Sequence, residues 1–322
     1  MNPEQFQEII EAIRAEIARV VHGQTEIVDH VLVAVMARGH VLLEGVPGVG
    51  KTLLVRTLAA TLGCETGRIQ FTPDLMPSDV TGGNVWHESE RRFQFIPGPV
   101  FTQILLADEI NRATARTQSA LLEAMQERSV TVDGVTRALP SPFIAIATQN
   151  PIESQGTYPL PEAQLDRFLF KVQVSHPSRE VERQIIASHL AGFDPSELQQ
   201  ARLQPIVTPA VLNAMQQSLR HVHVAPELVD YVLDIVHATR THRSVHLGAS
   251  PRAAVALSVV ARAAAACDGR DFAVPDDIKR FAPAVLRHRL VLAPDAEFDG
   301  QTADQCIQDV LSSVAAPIRV AR

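Results

Sequence analysis

Short runs of apolar residues alternate with longer amphipathic stretches through the first half of the chain. Three of these runs, HVLLE (residues 40–44), QILLAD (103–108) and FIAIAT (143–148), are almost continuously apolar. Strands that are buried on both faces of a parallel sheet have this character. Stretches with helical periodicity separate the runs, as a sheet flanked by helices requires. The pattern therefore predicts an α/β fold in which helices cover both faces of a parallel sheet.

Two stretches interrupt this alternation of strands and helices. Residues 84–96 (NVWHESERRFQFI) have apolar residues at alternating positions on either side of a polar turn. Residues 129–139 (SVTVDGVTRAL) place valines on both sides of an Asp-Gly pair, a strong signal for a two-residue hairpin turn. We therefore predict two inserted β-hairpins, although each would also fit an ordinary surface hairpin. Trp86, Phe93 and Phe95 either form a partner-binding tip or pack on the sheet, and we favour packing.

The pattern changes near VSHPSRE (residues 174–180), where Pro177 ends an apolar run and a helical period begins. Beyond this point helical periodicity continues almost throughout, including the alanine-rich stretch PRAAVALSVVARAAAAC (251–267). Helices with such small side chains can pack closely on their neighbours. The sequence therefore predicts two domains, an α/β core over residues 1–176 and an all-α domain over residues 177–322.

The composition narrows the class of protein. Hydrophobic residues make up 46% of the 322 residues, but no apolar run approaches the ~18 residues of a membrane span. The first residues form a charged amphipathic pattern and lack the apolar segment of a signal peptide. Three widely spaced cysteines, Cys64, Cys267 and Cys306, suit a reducing compartment and provide neither a disulfide framework nor a zinc site. We therefore expect a cytoplasmic protein without a membrane span.

The charge balance argues against nucleic acid as the main partner. The net charge is −7, and neither half of the chain has the basic excess that is typical of nucleic-acid-binding proteins. Arginine supplies nearly all of the positive charge, and the chain contains only three lysines. One of them, Lys51, lies in a glycine-rich segment, where solubility alone does not explain a lysine.

Residues 45–52, GVPGVGKT, match the phosphate-binding pattern G-x-x-x-x-G-K-[ST]. The glycines allow backbone N–H groups to point toward phosphate oxygens, and the following helix adds the positive end of its dipole. Lys51 would reach the β- and γ-phosphates, and the Thr52 hydroxyl would bind Mg²⁺. A predicted strand before the loop and a predicted helix after it provide the required context. The predicted nucleotide contacts here are Gly45, Val46, Pro47, Gly48, Val49, Gly50, Lys51, Thr52 and Leu53.

Polar residues follow the two other predicted strands. Asp108 and Glu109 end one strand, and Gln149 and Asn150 end the other. The carboxyl ends of parallel strands meet at one edge of a sheet, so we expect these residues beside the phosphate loop. Asp108 would hold magnesium, Glu109 would polarise an attacking water, and Asn150 would contact the γ-phosphate or position that water. The acid pair therefore favours hydrolysis over phosphoryl transfer to a second substrate.

Two arginines complete the set of candidate catalytic residues. Arg167 lies in LPEAQLDRFLF (160–170), and Arg252 lies in the first turn of a predicted helix that Ser250 caps and Pro251 starts. The helix dipole disfavours a cation in the first turn, and such local conflicts often mark functional residues. Each arginine would either stabilise charge developing on a γ-phosphate or be an ordinary surface residue in an ion pair.

Together these segments resemble the AAA+ ATPases, and within them the MoxR family. The resemblance extends from about residue 20 to about residue 290. The two predicted hairpins resemble insertions of the AAA+ clade that also contains magnesium-chelatase and minichromosome-maintenance subunits. Stretches that a generic phosphate-loop protein would lack carry the resemblance. They are QFTPDLMPSDVTG (70–82), DEINRATARTQSALLEAMQE (108–127), QNPIESQGTYPLPEAQLDRF (149–168) and SPRA (250–253).

The resemblance implies a role for each residue of the predicted phosphate site. By resemblance, Lys51 and Thr52 are the Walker A residues that bind the phosphates and Mg²⁺. Asp108 is similar to the Walker B magnesium acid, Glu109 to the catalytic glutamate and Asn150 to the sensor-1 residue. The cofactors that the resemblance implies are ATP and Mg²⁺.

The resemblance also gives roles to the arginines and to an upstream segment. Arg167 resembles the arginine finger, which serves the nucleotide of a neighbouring subunit. Arg252 resembles the sensor-2 residue of a helical lid, and whether it acts in its own or a neighbouring subunit stays open. Residues 20–24, VVHGQ, resemble the segment that lines the adenine pocket. The candidate contacts there are His22, Gly23 and Gln24.

Members of the family usually form hexameric rings and act as chaperone-like remodelers, often with a von Willebrand factor A domain protein as partner. We therefore expect a homo-oligomeric ATPase ring that remodels or activates protein clients or metalloprotein complexes. Three alternatives stay open: a chelatase-type motor subunit, a nucleic-acid translocase related to minichromosome-maintenance helicases, and a nucleotide-dependent switch with slow hydrolysis. The charge balance disfavours the translocase, and Glu109 disfavours the switch.

The helical domain is rich in histidine. Metal binding would require these side chains to converge, usually with acidic or cysteine companions. We therefore expect solvated or interface histidines here and no metal site. The residues are His221, His223, His237, His242 and His246.

Overall fold

A five-stranded parallel sheet is the centre of the fold in a computed structural model, which describes residues 1–150 and 156–317. The other strands among these residues form three antiparallel pairs. In chain order the strands are β1 (Val41–Gly45), β2 (Thr66–Gln70), β3 (Gly82–His87), β4 (Arg92–Pro97), β5 (Ile104–Asp108), β6 (Ser129–Val132), β7 (Val135–Ala138), β8 (Ile144–Gln149), β9 (Phe170–Val174), β10 (Val245–Leu247) and β11 (Val291–Leu292).

Helices account for most of the remaining described residues, and none of them is long and apolar enough to cross a membrane. Short 3₁₀ helices cover Ile110–Arg112, Pro195–Ala201 and Leu219–His221. In chain order the α-helices are α1 (Pro3–Ala18), α2 (Thr25–Met36), α3 (Lys51–Thr61), α4 (Pro77–Thr81), α5 (Ala115–Glu127), α6 (Glu162–Leu165), α7 (Arg179–Leu190), α8 (Pro209–Ser218), α9 (Pro226–Thr241), α10 (Pro251–Cys267), α11 (Pro275–Leu286), α12 (Pro294–Phe298) and α13 (Ala303–Ser313).

The central sheet has the strand order β2-β5-β8-β1-β9, with every pairing parallel. The three predicted strands are β1, β5 and β8, and they occupy the buried middle positions. Successive side chains point to opposite faces of a strand. Leu43 accordingly packs in the apolar cluster with α1, α2 and α3, whereas Leu42 packs in the cluster with α5. The predicted parallel sheet with helices on both faces is confirmed.

Both predicted hairpins are present, as β3–β4 and β6–β7. The turn of the second hairpin places Asp133 and Gly134 at φ angles of 50° and 77°, both left-handed, as a tight two-residue hairpin turn requires. The hairpins are also joined to each other. Asn84 donates a 2.5 Å hydrogen bond to Asp133, and the Arg137 guanidinium lies 3.8 Å from the centre of the Phe95 ring.

The aromatic residues of the first hairpin divide into two environments. The expectation that all three pack on the sheet is wrong for Trp86 and Phe93, which are 52% and 67% exposed. Their rings contact each other, with centroids 5.2 Å apart, because they are directly paired across the two strands. Phe95 packs against Phe101 as well as beneath Arg137. Every residue of β3 and β4 is exposed or half-buried, so the outer aromatic pair remains largely in solvent.

The chain beyond residue 176 is helical, with one addition to the prediction. Strands β10 and β11 form a small antiparallel ribbon between the helices. The predicted helix starts agree with the structure: Ser178 caps α7 through its side chain, and α10 begins at Pro251 after Ser250. The Ser250 side chain itself makes no capping hydrogen bond.

The alanine-rich helix α10 is the centre of the helical part. Its many buried alanines allow close packing on α9 and α11, and also on α1 and α2 from the start of the chain. A single apolar cluster therefore runs from one face of the sheet into the helical part. An ion-pair network supports this junction, because Asp29 of α2 accepts from both Arg14 of α1 and Arg280 of α11. The boundary predicted after residue 176 falls between β9 and α7 and stays a prediction.

Candidate nucleotide site

The glycine-rich segment forms a loop between β1 and α3. Gly48 and Gly50 have φ angles of +81° and +84°, a region that glycine adopts without strain. A Cβ atom at Gly45 would lie 2.2 Å from the Val174 carbonyl oxygen, so glycine is needed where the loop leaves the sheet. Lys51 is the first residue of α3, and it therefore lies at the positive end of the helix.

The Lys51 ammonium group donates a 2.7 Å hydrogen bond to the carbonyl oxygen of Gly45. Burial lowers the pKa of Lys51, while the charges of Asp108, Glu109 and Glu44 act in the opposite direction. The lysine is thus partly desolvated, and acids from β1 and from the end of β5 act on its charge. A cation in this setting is poised to bind phosphate oxygens.

Asp108 lies at the carboxyl end of β5, and both of its carboxylate oxygens are hydrogen-bonded. The Thr148 hydroxyl of β8 donates to Oδ1 over 2.6 Å, and Arg68 of β2 donates to Oδ2 over 2.8 Å. Strands β2 and β8 flank β5 in the sheet, which explains why residues about 40 positions away in sequence reach the same carboxylate. Arg68 and Thr148 were not predicted as site residues.

Glu109 directly follows β5 and has a left-handed backbone, with φ 56° and ψ 49°. Its N–H group donates to the Thr148 hydroxyl over 2.8 Å, which helps to hold this conformation. The side-chain oxygen Oε2 accepts from Gln70 over 2.9 Å and from Arg112 over 3.0 Å. Backbone strain of this kind in a non-glycine residue often marks functional sites. Glu109 also lines the cavity that lies over these strand ends.

Asn150 follows β8 and is buried beside Asn111. The Asn111 side-chain amide donates to the Asn150 carbonyl oxygen over 3.4 Å. The Asn111 Oδ1 atom is buried without a hydrogen-bond partner among the described residues. Residues 151–155 of the stretch that carried the family resemblance lie outside the described part of the chain. The placement of Asn150 at the edge of the sheet agrees with the position predicted for it.

A cavity of about 600 Å³, here called the Lys51 cavity, lies over these strand ends. The predicted residues that line it from the loop and the strand ends are Pro47 through Leu53, Asp108, Glu109 and Asn150. The opposite wall is largely apolar and comes from the start of the chain and from the helical part. That wall includes Val20, Val21, Ile185, Phe193 and Pro195.

The segment predicted to contact adenine lies at the apolar end of the Lys51 cavity. His22 and Gln24 line the cavity, and His22 contacts the Ser188 hydroxyl of α7 over 3.1 Å. Gln24 donates a 2.6 Å hydrogen bond to the Val49 carbonyl oxygen and so joins this segment to the phosphate loop. Gly23 does not line the cavity, because it packs beneath α7: a Cβ atom there would lie 2.2 Å from Val181.

Two further predicted contacts lie behind the cavity wall. Gly45 and Val46 do not line the Lys51 cavity, although the Gly45 carbonyl oxygen holds the Lys51 ammonium group. Sequence reasoning also missed the wall that α7 provides. Ile185, Ser188 and His189 lie at helical spacings of three and four, which places them on one face of α7. In the sequence, this spacing already indicates that the three side chains share one face of α7 and could line the same site.

Arg167 and Arg252 lie together, but outside the Lys51 cavity. Both line a second cavity of about 220 Å³, here called the arginine cavity, with Asp166 and His40. Arg252 forms a 3.2 Å ion pair with Asp166, and its side chain is 57% exposed. The structure thus joins the two predicted arginines to each other and not to Lys51.

The donor groups of the Lys51 cavity fit a magnesium nucleotide. Mg²⁺ prefers oxygen ligands and commonly uses one or two carboxylates together with substrate phosphates. The hydroxyl of Thr52 and the carboxylate of Asp108 are such oxygen donors, and both residues line the cavity. Among the described residues there is no group of three or more His, Cys, Asp or Glu side chains that could hold a metal ion by itself. The apolar wall suits a planar base.

Comparison with known proteins defines the class. Residues 40–170 match the family model described as the ATPase family associated with various cellular activities (AAA), and residues 237–310 match the AAA lid domain. The structure is similar to the crystal structure of a Cytophaga hutchinsonii protein whose assignment as an ATPase is provisional. The TM-score is 0.90 at 38% identity, over 98% of this chain and 97% of that chain. The fold is therefore that of an AAA ATPase domain followed by an AAA lid.

Two relatives narrow this class to a family. The protein named chaperone MoxR1 from Mycobacterium tuberculosis is 47% identical over 311 residues, which cover 94% of this chain and 81% of that protein. The uncharacterized protein YeaC from Bacillus subtilis is 46% identical over 303 residues, which cover 94% of this chain and 93% of that protein. The chain therefore belongs to the MoxR family of AAA ATPases, as its resemblance predicted.

Proposed function

We propose that the chain is a Mg-ATP-hydrolysing ring ATPase in which each active site is built from two chains. The observation that carries this proposal is the separation of the candidate catalytic residues. The Lys51 cavity is lined by Lys51, Asp108 and Glu109. Arg167 and Arg252 line the arginine cavity, and neither arginine lines the Lys51 cavity. We therefore propose that a γ-phosphate bound by Lys51 meets the Arg167 and Arg252 side chains of another chain.

The proposed binding step uses the phosphate loop and the apolar wall. The loop N–H groups and Lys51 would hold the phosphates, while Val21 and Ile185 would contact the base. Thr52 and Asp108 would hold Mg²⁺, which when bound neutralises charge on the β- and γ-phosphates. The bond between Gln24 and the loop would couple base binding to loop geometry.

The proposed chemical step assigns Glu109 as the group that polarises water. Both of the side-chain hydrogen bonds recorded for Glu109 within the described residues end on Oε2. Oε1 is thus the oxygen that would accept a proton from an attacking water. Gln70 and Arg112 orient the carboxylate, and Asn150 would position the water or the γ-phosphate from the neighbouring strand. Glu109 and Asn150 would activate the nucleophile, but neither carries a positive charge that could stabilise the γ-phosphoryl group in the transition state.

The arginine residues would supply that missing charge in a neighbouring chain. Cations at the γ-phosphate stabilise the charge that develops in the transition state. A contact between the arginine cavity of one chain and the Lys51 cavity of the next is head-to-tail, and repeated head-to-tail contacts close into a ring when the rotation permits. We propose a homo-oligomeric ring, hexameric as the family resemblance implies, in the cytoplasm.

We propose protein clients for this ring. The support is the name of the relative MoxR1, a chaperone, together with the family resemblance, which also implies a von Willebrand factor A domain protein as partner. The net charge of −7 gives no support to the translocase alternative. No feature of the described residues specifically favours the chelatase-type alternative. Remodelling or activation of protein clients is therefore the function that we propose.

The experiment that tests the ATPase proposal is ATPase activity per chain measured against protein concentration. A site built from two chains should give rising activity per chain over the concentrations at which assembly occurs, as sized by light scattering in the same samples. Constant activity in samples that are shown to be monomeric would contradict a shared site. Absence of turnover in assembled samples would contradict the proposed hydrolysis.

A further inference from the structure

One buried arginine clamps the segment that carries Arg167. Arg289 follows α11, and its side chain is only 4% exposed. A guanidinium group has five N–H donors in a fixed planar arrangement, and the side chain of Arg289 makes five hydrogen bonds. Its acceptors are Asp166 Oδ1 (2.6 Å), the backbone oxygens of Phe168 (2.7 Å), Asp166 (3.3 Å) and Leu169 (3.3 Å), and the backbone oxygen of Val285.

These bonds fix the backbone on both sides of Arg167. The carbonyl groups of Asp166 and Phe168, immediately before and after it, both accept from Arg289. The buried ring of His288 also donates to the Phe168 carbonyl oxygen, over 3.0 Å. The segment between α6 and β9 is therefore attached at Asp166, Phe168 and Leu169 to the residues that follow α11, and the base of the Arg167 side chain has little freedom to shift.

Asp166 extends this arrangement to the second arginine. Its Oδ1 atom accepts from Arg289, and its Oδ2 atom accepts from Arg252 over 3.2 Å. Arg252 lies in the first turn of α10, 86 positions further along the chain, and more than half of its side chain is exposed. An exposed arginine has many rotamers, and an ion pair to an anchored carboxylate restricts them. Asp166 thus connects the buried clamp to the exposed guanidinium group.

We propose that Arg289 and Asp166 are positioning residues that hold Arg167 and Arg252 as one cationic unit for a γ-phosphate bound by another chain. The inference rests on the proposed ATPase function and names residues that set its geometry. Neither Arg289 nor Asp166 lines the Lys51 cavity of its own chain, so neither would alter nucleotide binding there. A displacement of about 1 Å at a catalytic group can lower a rate by about 100-fold.

The test compares two variants with a matched control. Arg289→Lys keeps the charge but cannot reproduce five planar hydrogen bonds. Asp166→Asn keeps an oxygen acceptor for Arg289 but replaces the second oxygen, which Arg252 needs, with an N–H donor. The control is Arg270→Lys, because Arg270 forms another part-buried ion pair in the helical region, with Asp277, and lines neither the Lys51 nor the arginine cavity.

For each assembled protein, the readouts are kcat, the calorimetric Kd for an ATP analogue, and ATPase recovery in mixtures with Glu109→Gln chains. We expect both variants to lose about 100-fold in kcat with Kd unchanged within about twofold. Mixtures should recover activity. A Glu109→Gln chain has correctly held Arg167 and Arg252, which can reach the Lys51 cavity of a neighbouring variant chain, where Glu109 is intact. Arg270→Lys should keep the wild-type kcat. If Arg289 and Asp166 only stabilised the fold, their variants would instead show weaker nucleotide binding or assembly, and the mixtures would not recover ATPase activity.

Failure of the inference can be separated from failure of the ATPase proposal. Active wild-type protein with both variants at wild-type kcat would overturn the positioning role and leave the ATPase proposal standing. Mixed assemblies that form but recover no activity would also overturn it. Wild-type assemblies without turnover would overturn the ATPase proposal, and the positioning role with it. Should Arg289→Lys fail to fold, the more exposed Asp166→Asn decides alone.

Discussion

The Lys51 cavity and the arginine cavity differ in size, charge and origin. The first is about 600 Å³, combines the phosphate loop with Asp108 and Glu109, and has an apolar wall. The second is about 220 Å³ and contains Arg167 and Arg252 around Asp166. One cavity contains the groups that we propose for nucleotide binding and water activation, whereas the candidate arginines Arg167 and Arg252 line the other. The other cavity offers cations without a loop to bind phosphate.

This difference indicates how assembly would control hydrolysis. In a single chain the proposed nucleotide-binding groups line the Lys51 cavity, and Arg167 and Arg252 do not. Contact between the two kinds of cavity would complete the site, so hydrolysis would report on the ring and not on the single chain. The clamp by Arg289 fits this division, since cations that act on another chain need a fixed position before the contact forms.

The largest expected effect is that of Arg167→Ala. Removing a cation that acts on the γ-phosphate should lower turnover by about 10³-fold, in the range known for arginine fingers. ATP affinity should stay at the wild-type value, because Arg167 does not line the Lys51 cavity. Steady-state ATPase assays and calorimetry measure the two quantities. Arg220→Ala, at an exposed arginine of the helical part, is the control, and an equal loss in that variant would contradict a specific role.

In the Lys51 cavity, the substitution Glu109→Gln should leave ATP binding intact. Hydrolysis should be at least ~100-fold slower, which is the usual contribution of a general base. The amide keeps an oxygen for Gln70 and Arg112, so the local structure should persist. Rapid-quench measurement of a single turnover gives the rate of the chemical step. The exposed Glu123→Gln on α5 is the matched control. Near-wild-type turnover in Glu109→Gln would mean that another residue activates water.

Acidification should destabilise the protein through His40, which lines the arginine cavity. Burial lowers the pKa of His40 to about 4, and its ring is held by Ala145 N–H and the Met125 carbonyl oxygen. The unfolded chain takes up this proton near pH 6.5, so stability is lost as the pH falls from 6.5 toward 4. Between pH 7 and pH 5 the loss from this residue is about 2 kcal/mol.

Urea unfolding at pH 7 and pH 5 checks this expectation. His40→Gln should be less stable than wild type at pH 7 but should lose about 2 kcal/mol less on acidification. Buried His288, whose pKa is also lowered by burial, contributes to the total loss in both proteins and cancels in the comparison. His246→Gln at an exposed site should show the full wild-type loss. Equal losses in wild type and His40→Gln would contradict the assignment.

The smallest effect concerns the link between the base-binding segment and the phosphate loop. Gln24→Ala removes the 2.6 Å hydrogen bond to the Val49 carbonyl oxygen. A net hydrogen bond contributes about 1 kcal/mol, so ATP affinity should fall about fivefold with kcat little changed. Calorimetric titration resolves a change of this size. Gln217→Ala on α8, whose side chain is exposed, should leave the affinity unchanged.

The Lys51 side of the comparison was largely predictable from sequence. Its groups lie in a contiguous loop or directly after apolar strands, and parallel strands bring their carboxyl ends to one edge. The partners of those groups were not predictable. Gln70 reaches Glu109 because β2 pairs with β5 and places Gln70 opposite Asp108, a pairing order that no local pattern specifies.

The arginine side shows the limits of sequence reasoning more clearly. Arg167 and Arg252 were identified as candidates, but their joint placement depends on how the helical part packs against the segment before β9. Arg289 lies in an ordinary helical pattern, and only its five bonds distinguish it. Similarly, alternation of apolar residues predicted the first hairpin, but it did not show that Trp86 and Phe93 would be largely exposed.

The most direct test of a site shared between chains is to mix Arg167→Ala with Glu109→Gln, two variants that are each expected to be nearly inactive. In mixed rings, some Lys51 cavities with an intact Glu109 would face an intact Arg167 from the neighbouring chain. The account predicts that ATPase activity reappears in the mixture and depends on the mixing ratio. Mixed rings that form, as shown by native mass spectrometry, but stay inactive at every ratio would contradict it.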